Sequence, residues 1–259
     1  MSSPTGKDTA QKTPTQAQTK GQNGQVQAEV SSRPEIDAFL QKVKGLGPAV
    51  TAGKRGRLVF ALDATMSRQP TWDSACALQA DMFREAAAIG GLDIQLVYFR
   101  GLNECRASGW VAGADRLASL MGRIDCRGGH TQIGKVLSHA RQEHARQRVQ
   151  ALVFVGDAME EGIDDLAAAA GELGLLGVPV FMFQEGGDPV AEAAYREIAR
   201  LSRGAYCRFD TGSAQQLAEL LRAVAAYAAG GIKALSDLSA RQSGNQTGGA
   251  RALLTQLKS

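Results

Sequence analysis

Three oxygen-bearing side chains follow one apolar segment at alternate positions. Residues 57–62 read Arg-Leu-Val-Phe-Ala-Leu, and Asp63, Thr65 and Ser67 come directly after them. A continuous apolar run of this length is typical of a strand covered on both faces of an α/β sheet. One carboxylate and two hydroxyls in a tight loop are hard oxygen donors, which suit Mg²⁺ or Mn²⁺ better than a softer metal.

Two further segments carry the same kind of oxygen donors. Thr131 follows Gly128-Gly129-His130 and precedes a helical pattern, and Asp157 ends the apolar run 151–156. Ligands of open α/β sheets bind at the carboxyl ends of the strands, so we expect these groups to meet at that edge. The expected ligands of this metal site are Asp63, Thr65, Ser67, Thr131 and Asp157.

These five residues resemble the metal-ion-dependent adhesion site of von Willebrand factor A (vWA) domains. That family carries Asp-x-Ser-x-Ser, a distant Thr and an Asp after its fourth strand; Thr65 replaces the commoner Ser but keeps the hydroxyl. The resemblance covers roughly residues 57–229. It implies an intracellular, bacterial-type vWA protein with a doubly wound, mostly parallel six-stranded sheet, helices on both faces and one antiparallel edge strand.

Hydrophobic periodicity and turn residues predict the strands and helices around the site. Strands are predicted at 57–63, 93–99, 105–110, 151–156, 178–183 and 205–209. Helices are predicted at 34–45, 70–89, 112–124, 131–147, 161–174, 188–201 and from 213 to about 228. Alternating strands and helices of this kind favour a parallel sheet with helical crossovers.

Three charged residues lie beside the predicted ligand loops in the sequence. Arg68 follows Ser67 and is expected to be solvated at the rim of the site. Glu160 and Glu161 are expected in the first turn of the helix after Asp157, where negative charge suits the helix dipole.

The ends of the chain differ from its middle in composition. Residues 1–33 are polar and almost without large apolar groups, so a disordered tail is predicted there. A short helix and linker at 34–50, a vWA-like domain at 51–230 and a mobile C-terminal tail with a weak helix at 231–259 complete the expected organisation.

Composition narrows the classes of partner. The net charge is only +3 and the basic residues are dispersed, which argues against a nucleic-acid partner. No apolar window approaches a membrane span, and the first residues lack the apolar core of a signal peptide. We therefore expect a cytoplasmic protein without a membrane interaction.

The resemblance implies a binding module and not an enzyme. In the family, a partner protein supplies an Asp or Glu to the bound Mg²⁺ or Mn²⁺, and intracellular members often assist ATP-driven chaperones, chelatases or stress-response complexes. One alternative is a haloacid-dehalogenase-like phosphatase with Asp63 as nucleophile, but Thr65 stands where that family has its acid/base Asp. A vWA scaffold that has lost its metal is the other alternative.

Overall fold

The computed structural model describes residues 30–46, 55–71, 92–210 and 218–229. Its strands are β1 (Gly56–Asp63), β2 (Leu92–Arg100), β3 (Glu104–Ala107), β4 (Ala151–Gly156), β5 (Val180–Glu185) and β6 (Ala205–Phe209). Its helices are α1 (Arg33–Gly45), α2 (Ala114–Met121), α3 (Ile133–Arg146), α4 (Ile163–Leu175), α5 (Pro189–Leu201) and α6 (218–229). A 3₁₀ turn, Met66–Thr71, follows β1.

The predictions for residues 1–29, 47–54, 72–91, 211–217 and 230–259 lie outside this described part. They include the N-terminal tail, the linker, most of the helix at 70–89, the start of the last helix and the C-terminal tail. The domain boundaries therefore stay predictions.

The described strands form one six-stranded sheet in the order β3-β2-β1-β4-β5-β6. All neighbouring pairs are parallel except β2 and β3, which are antiparallel at one edge. The predicted fold class is confirmed. Short antiparallel β3 ends at Ala107, whereas the sequence suggested a strand to residue 110.

Alternate residues of the central strand enter two separate cores. Leu58, Phe60 and Leu62 pack with α1, α2 and α6 on one face of the sheet. Val59 and Ala61 pack with α3, α4 and α5 on the other face. Because both faces are covered, β1 is buried along its whole length, which is why it reads as a continuous apolar run.

Helix α1 is fixed at both its start and its apolar face. The Glu35 carboxylate accepts a hydrogen bond from the Ser32 backbone N–H at 2.8 Å, as in a capping box. The N–H of Ser31 donates to the Arg208 carbonyl at 3.0 Å, so the chain before the helix is attached to β6. Within the described ranges, every helix is too short or too polar to span a lipid bilayer.

Candidate metal centre

The predicted ligands lie where the strand order reverses direction. Strand β1 has β2 on one side and β4 on the other, and Leu62 of β1 is in register with Val155 of β4. Asp63 is the last residue of β1, and Asp157 directly follows Gly156 at the end of β4. After β1 the chain continues to β2 on one side, and after β4 it continues to β5 on the other side. The crevice between two such parallel strands is the usual ligand site of open α/β sheets.

Asp63 is a fully buried carboxylate, and only one of its two oxygens accepts a hydrogen bond from the described residues. Its side chain is 0% exposed. Oδ1 accepts a hydrogen bond from the Thr65 N–H at 2.7 Å, but Oδ2 is buried and accepts none from the described residues. Burial raises the pKa of Asp63 to about 6; hydrogen bonds from Thr65 oppose the rise, and the Asp157 charge adds to it.

The two hydroxyls after Asp63 are adjacent in space. Thr65 Oγ1 lies 3.0 Å from Ser67 Oγ, and Thr65 is buried while Ser67 is exposed. The 3₁₀ turn curls the chain back after β1, which brings these alternate side chains together. Met66 between them is 53% exposed and takes no part in the core.

Asp157 also offers an oxygen without a hydrogen-bond donor. The residue is half-buried, and its Oδ1 is buried and accepts no hydrogen bond within the described ranges. The turn that carries it rests on Tyr195 of α5, whose hydroxyl donates to the Ala158 carbonyl at 2.8 Å. Tyr195 was not expected from the sequence, because only the packing of α5 against β5 and β6 places it there.

Thr131 is joined to the Asp157 loop by two hydrogen bonds. Its N–H donates to the Glu160 carboxylate at 3.0 Å, and its Oγ1 accepts from the Glu160 N–H at 2.9 Å. Glu161 accepts from the N–H groups of Ile133 and Gly134, the first two residues of α3. The prediction that Glu160 and Glu161 begin the next helix is wrong, because α4 starts at Ile163 and both residues instead fix the start of α3.

The other side of Thr131 is held by a close backbone contact. The His130 N–H donates to the Gly101 carbonyl at 3.3 Å. A Cβ atom on Gly129 would lie only 2.0 Å from that same carbonyl oxygen, so the contact requires glycine at position 129. Gly128 has no atom within 4 Å of its equivalent position. The loop is thus fixed between the β2–β3 turn and the Asp157 loop.

Arg68 departs from its predicted solvent exposure. Its side chain is 1% exposed and forms an ion pair with Glu185, which ends β5. The sequence contained a signal for Glu185, since it is an acidic residue at a strand end in the same way as Asp63 and Asp157. The burial of Arg68 had no such signal, because it depends on what packs over the 3₁₀ turn.

The donor set fits a hard divalent cation. Burying a carboxylate oxygen without a hydrogen bond is costly, and an oxygen-coordinating cation removes that cost. Asp63 Oδ2 and Asp157 Oδ1 are two such oxygens, and three hydroxyls accompany them on neighbouring loops. The described residues contain no group of three or more His, Cys, Asp and Glu side chains arranged for a metal, so hydroxyls have to complete any such site.

The fold matches several solved structures at low sequence identity. The von Willebrand factor type A protein from Catenulispora acidiphila aligns with a TM-score of 0.54 at 18% identity, over 70% of this chain and 47% of that chain. Proximal thread matrix protein 1 from the mussel byssus, solved with a zinc-occupied MIDAS motif, aligns with a TM-score of 0.54 at 15% identity, over 69% and 48%. The SpRpn10 VWA domain gives 0.51 at 14% identity, over 64% and 94%.

The likeness is one of architecture. The chain spans about half the length of the Catenulispora and mussel chains and nearly all of the SpRpn10 domain. No protein-family profile and no curated protein sequence matches it. Sheet order, edge strand and structural matches together show that the chain has the von Willebrand factor A fold.

Proposed function

We propose that this chain is a protein-binding module that uses a divalent cation to capture an acidic residue of a partner protein. Asp63, Thr65, Ser67, Thr131 and Asp157 would hold the cation, directly or through water. A bound Mg²⁺ or Mn²⁺ would supply an open coordination position for the partner's carboxylate. The proposal includes no catalytic step, so we propose a binding protein and not an enzyme.

One observation carries this proposal. Two carboxylates at the ends of adjacent strands each bury an oxygen that no described residue satisfies. Their mutual repulsion contributes to the raised pKa of Asp63, so the two charges act on each other. A cation between the two carboxylates would coordinate their unsatisfied oxygens and neutralise the repulsion between their charges. The mussel relative of this fold with its zinc-occupied motif supports the same conclusion by analogy.

Thermal unfolding of the full chain tests the metal site. We expect a higher melting temperature in Mg²⁺, Mn²⁺ or Zn²⁺ than in EDTA, since a ligand at one hundred times its Kd stabilises the folded state by about 2.7 kcal/mol. Asp157→Asn should abolish the shift. Asp164→Asn, which changes an exposed aspartate at the start of α4, is the matched control and should retain it. No shift in the wild-type protein would contradict the proposal and favour a metal-free scaffold.

Binding of short peptides tests the partner class. Immobilised peptides with a central Glu should bind the wild-type protein in Mg²⁺ or Mn²⁺ more strongly than the same peptides with Gln. EDTA and Asp157→Asn should remove the difference. Equal binding of Glu and Gln peptides would contradict capture of a carboxylate even if the metal site exists.

A further inference from the structure

Arg68 is a buried cation at the edge of the candidate metal site. It directly follows Ser67, and its backbone N–H donates to the Thr65 carbonyl at 3.1 Å. The side chain is 1% exposed, which makes it one of the largest fully buried side chains in the described residues. A buried charge is expensive and normally has a definite partner, and here Glu185 is one.

The ion pair lies in the same charged region as the carboxylates of the site. Glu185 ends β5, the strand beside β4, and Gly156 of β4 is in register with Gln184. Arg68 belongs to the 3₁₀ turn that also carries Ser67, so the ion pair joins that turn to the strand beside β4.

We propose that the Arg68–Glu185 ion pair sets the affinity of this site for divalent cations. Asp63, Asp157 and Glu185 carry three negative charges and Arg68 one positive charge, which leaves these four groups at −2, the charge that a divalent cation neutralises. Arg68 opposes a bound cation and stabilises the metal-free carboxylates. Glu185 offsets that opposition and fixes the guanidinium. This inference rests on the proposed function, because it concerns the same site.

Titrating Mg²⁺ and Mn²⁺ into three charge variants by calorimetry tests the inference. Glu185→Gln should bind both metals at least about tenfold more weakly than the wild-type protein, because a unit charge close to a divalent ion changes affinity by about tenfold even at a water-like dielectric constant. Arg68→Met should bind them about tenfold more tightly. The double variant Arg68→Met/Glu185→Gln restores the charge of −2 and should lie within about threefold of the wild-type protein.

Stability in EDTA gives a second readout, independent of metal binding. Arg68→Met leaves three carboxylates close together, whereas Glu185→Gln leaves Arg68 with two of them. The melting temperature in EDTA should therefore fall further for Arg68→Met than for Glu185→Gln. If Arg68→Met does not fold, Glu185→Gln and the double variant decide the question, since their predicted metal affinities differ by about tenfold.

The ion pair between Arg57 and Glu143 provides a matched control. Its side chains are 7% and 6% exposed and 3.2 Å apart, so it is buried to a similar extent. Arg57 lies six residues before Asp63 on β1, a distance of roughly 20 Å along a strand. Glu143→Gln should leave metal affinity unchanged.

The outcomes separate this inference from the proposed function. If Glu185→Gln binds metal with wild-type affinity, or if Glu185→Gln and the double variant lose the same amount of metal affinity, the ion pair is only structural. The proposed function would still stand in either case. An equal loss of metal affinity in Glu143→Gln would also overturn the inference. A wild-type protein that binds neither metal would overturn both.

Discussion

Replacing Asp63 with Asn should stabilise the metal-free protein at neutral pH. The burial of this carboxylate raises its pKa from 3.8 to about 6, so the folded state holds the ionised form less well than the unfolded chain does. Asn has the same size, carries no charge and keeps a carbonyl oxygen for the Thr65 N–H. The ionised Asp63 therefore lowers the free energy of unfolding, and a destabilising charge of this kind is expected of a functional group.

The magnitude follows from linkage between protonation and folding. Because the folded pKa is the higher one, the stability contributed by Asp63 falls as pH rises from the unfolded value near 3.8 to the folded value near 6. At about 1.4 kcal/mol per pKa unit, the full cost above pH 6 is about 3 kcal/mol. Roughly 1 kcal/mol of it is already present at pH 4.5, so the difference between Asp63→Asn and the wild-type protein should grow by about 2 kcal/mol between pH 4.5 and 7.5.

Urea unfolding in EDTA, followed by circular dichroism, measures this difference. The free energies of unfolding of both proteins are compared at pH 4.5 and 7.5, and again at pH 7.5 with Mn²⁺ in place of EDTA. Metal should stabilise the wild-type protein only, so the difference in free energy of unfolding between Asp63→Asn and the wild-type protein should shrink or change sign. An Asp63→Asn protein that is less stable than the wild-type protein at pH 7.5 in EDTA, or a gap that does not change with pH, would refute the reasoning.

Three further changes act on the supports of the site. Gly129→Ala would push a methyl group into the facing carbonyl and displace Thr131; we expect a loss of about 1–3 kcal/mol and a smaller metal-induced melting shift, whereas Gly128→Ala should behave as wild type. Glu161→Gln should lower the free energy of unfolding by about 1 kcal/mol in urea titrations, because the helix start loses a charged acceptor; a change within experimental error would contradict the cap. Tyr195→Phe removes one buried hydrogen bond, and calorimetry should show about 1 kcal/mol lower stability and weaker metal binding; unchanged metal affinity would mean that this bond does not position the loop.

The sequence alone determined the class of fold and the types of group at its carboxyl edge. Asp63 and Asp157 end apolar runs, and strand and helix periods are local properties that a chain shows without its partners. The helix predicted at 188–201 likewise begins where expected: α5 starts at Pro189, and the Asp188 carboxylate accepts from the Val190 N–H at 2.7 Å. Such signals depend on residues within a few positions of each other.

How those groups are held depends on contacts between distant parts of the chain. Glu161 reaches the start of α3 from the neighbouring loop, and Gly129 lies against the β2–β3 turn; both contacts join distant segments whose approach depends on strand order and register. The prediction that Arg68 is solvated is wrong for the same reason. Whether a charged side chain on a short turn is solvated depends on the strands beside it, and Glu185 becomes its partner only once β5 lies next to β4.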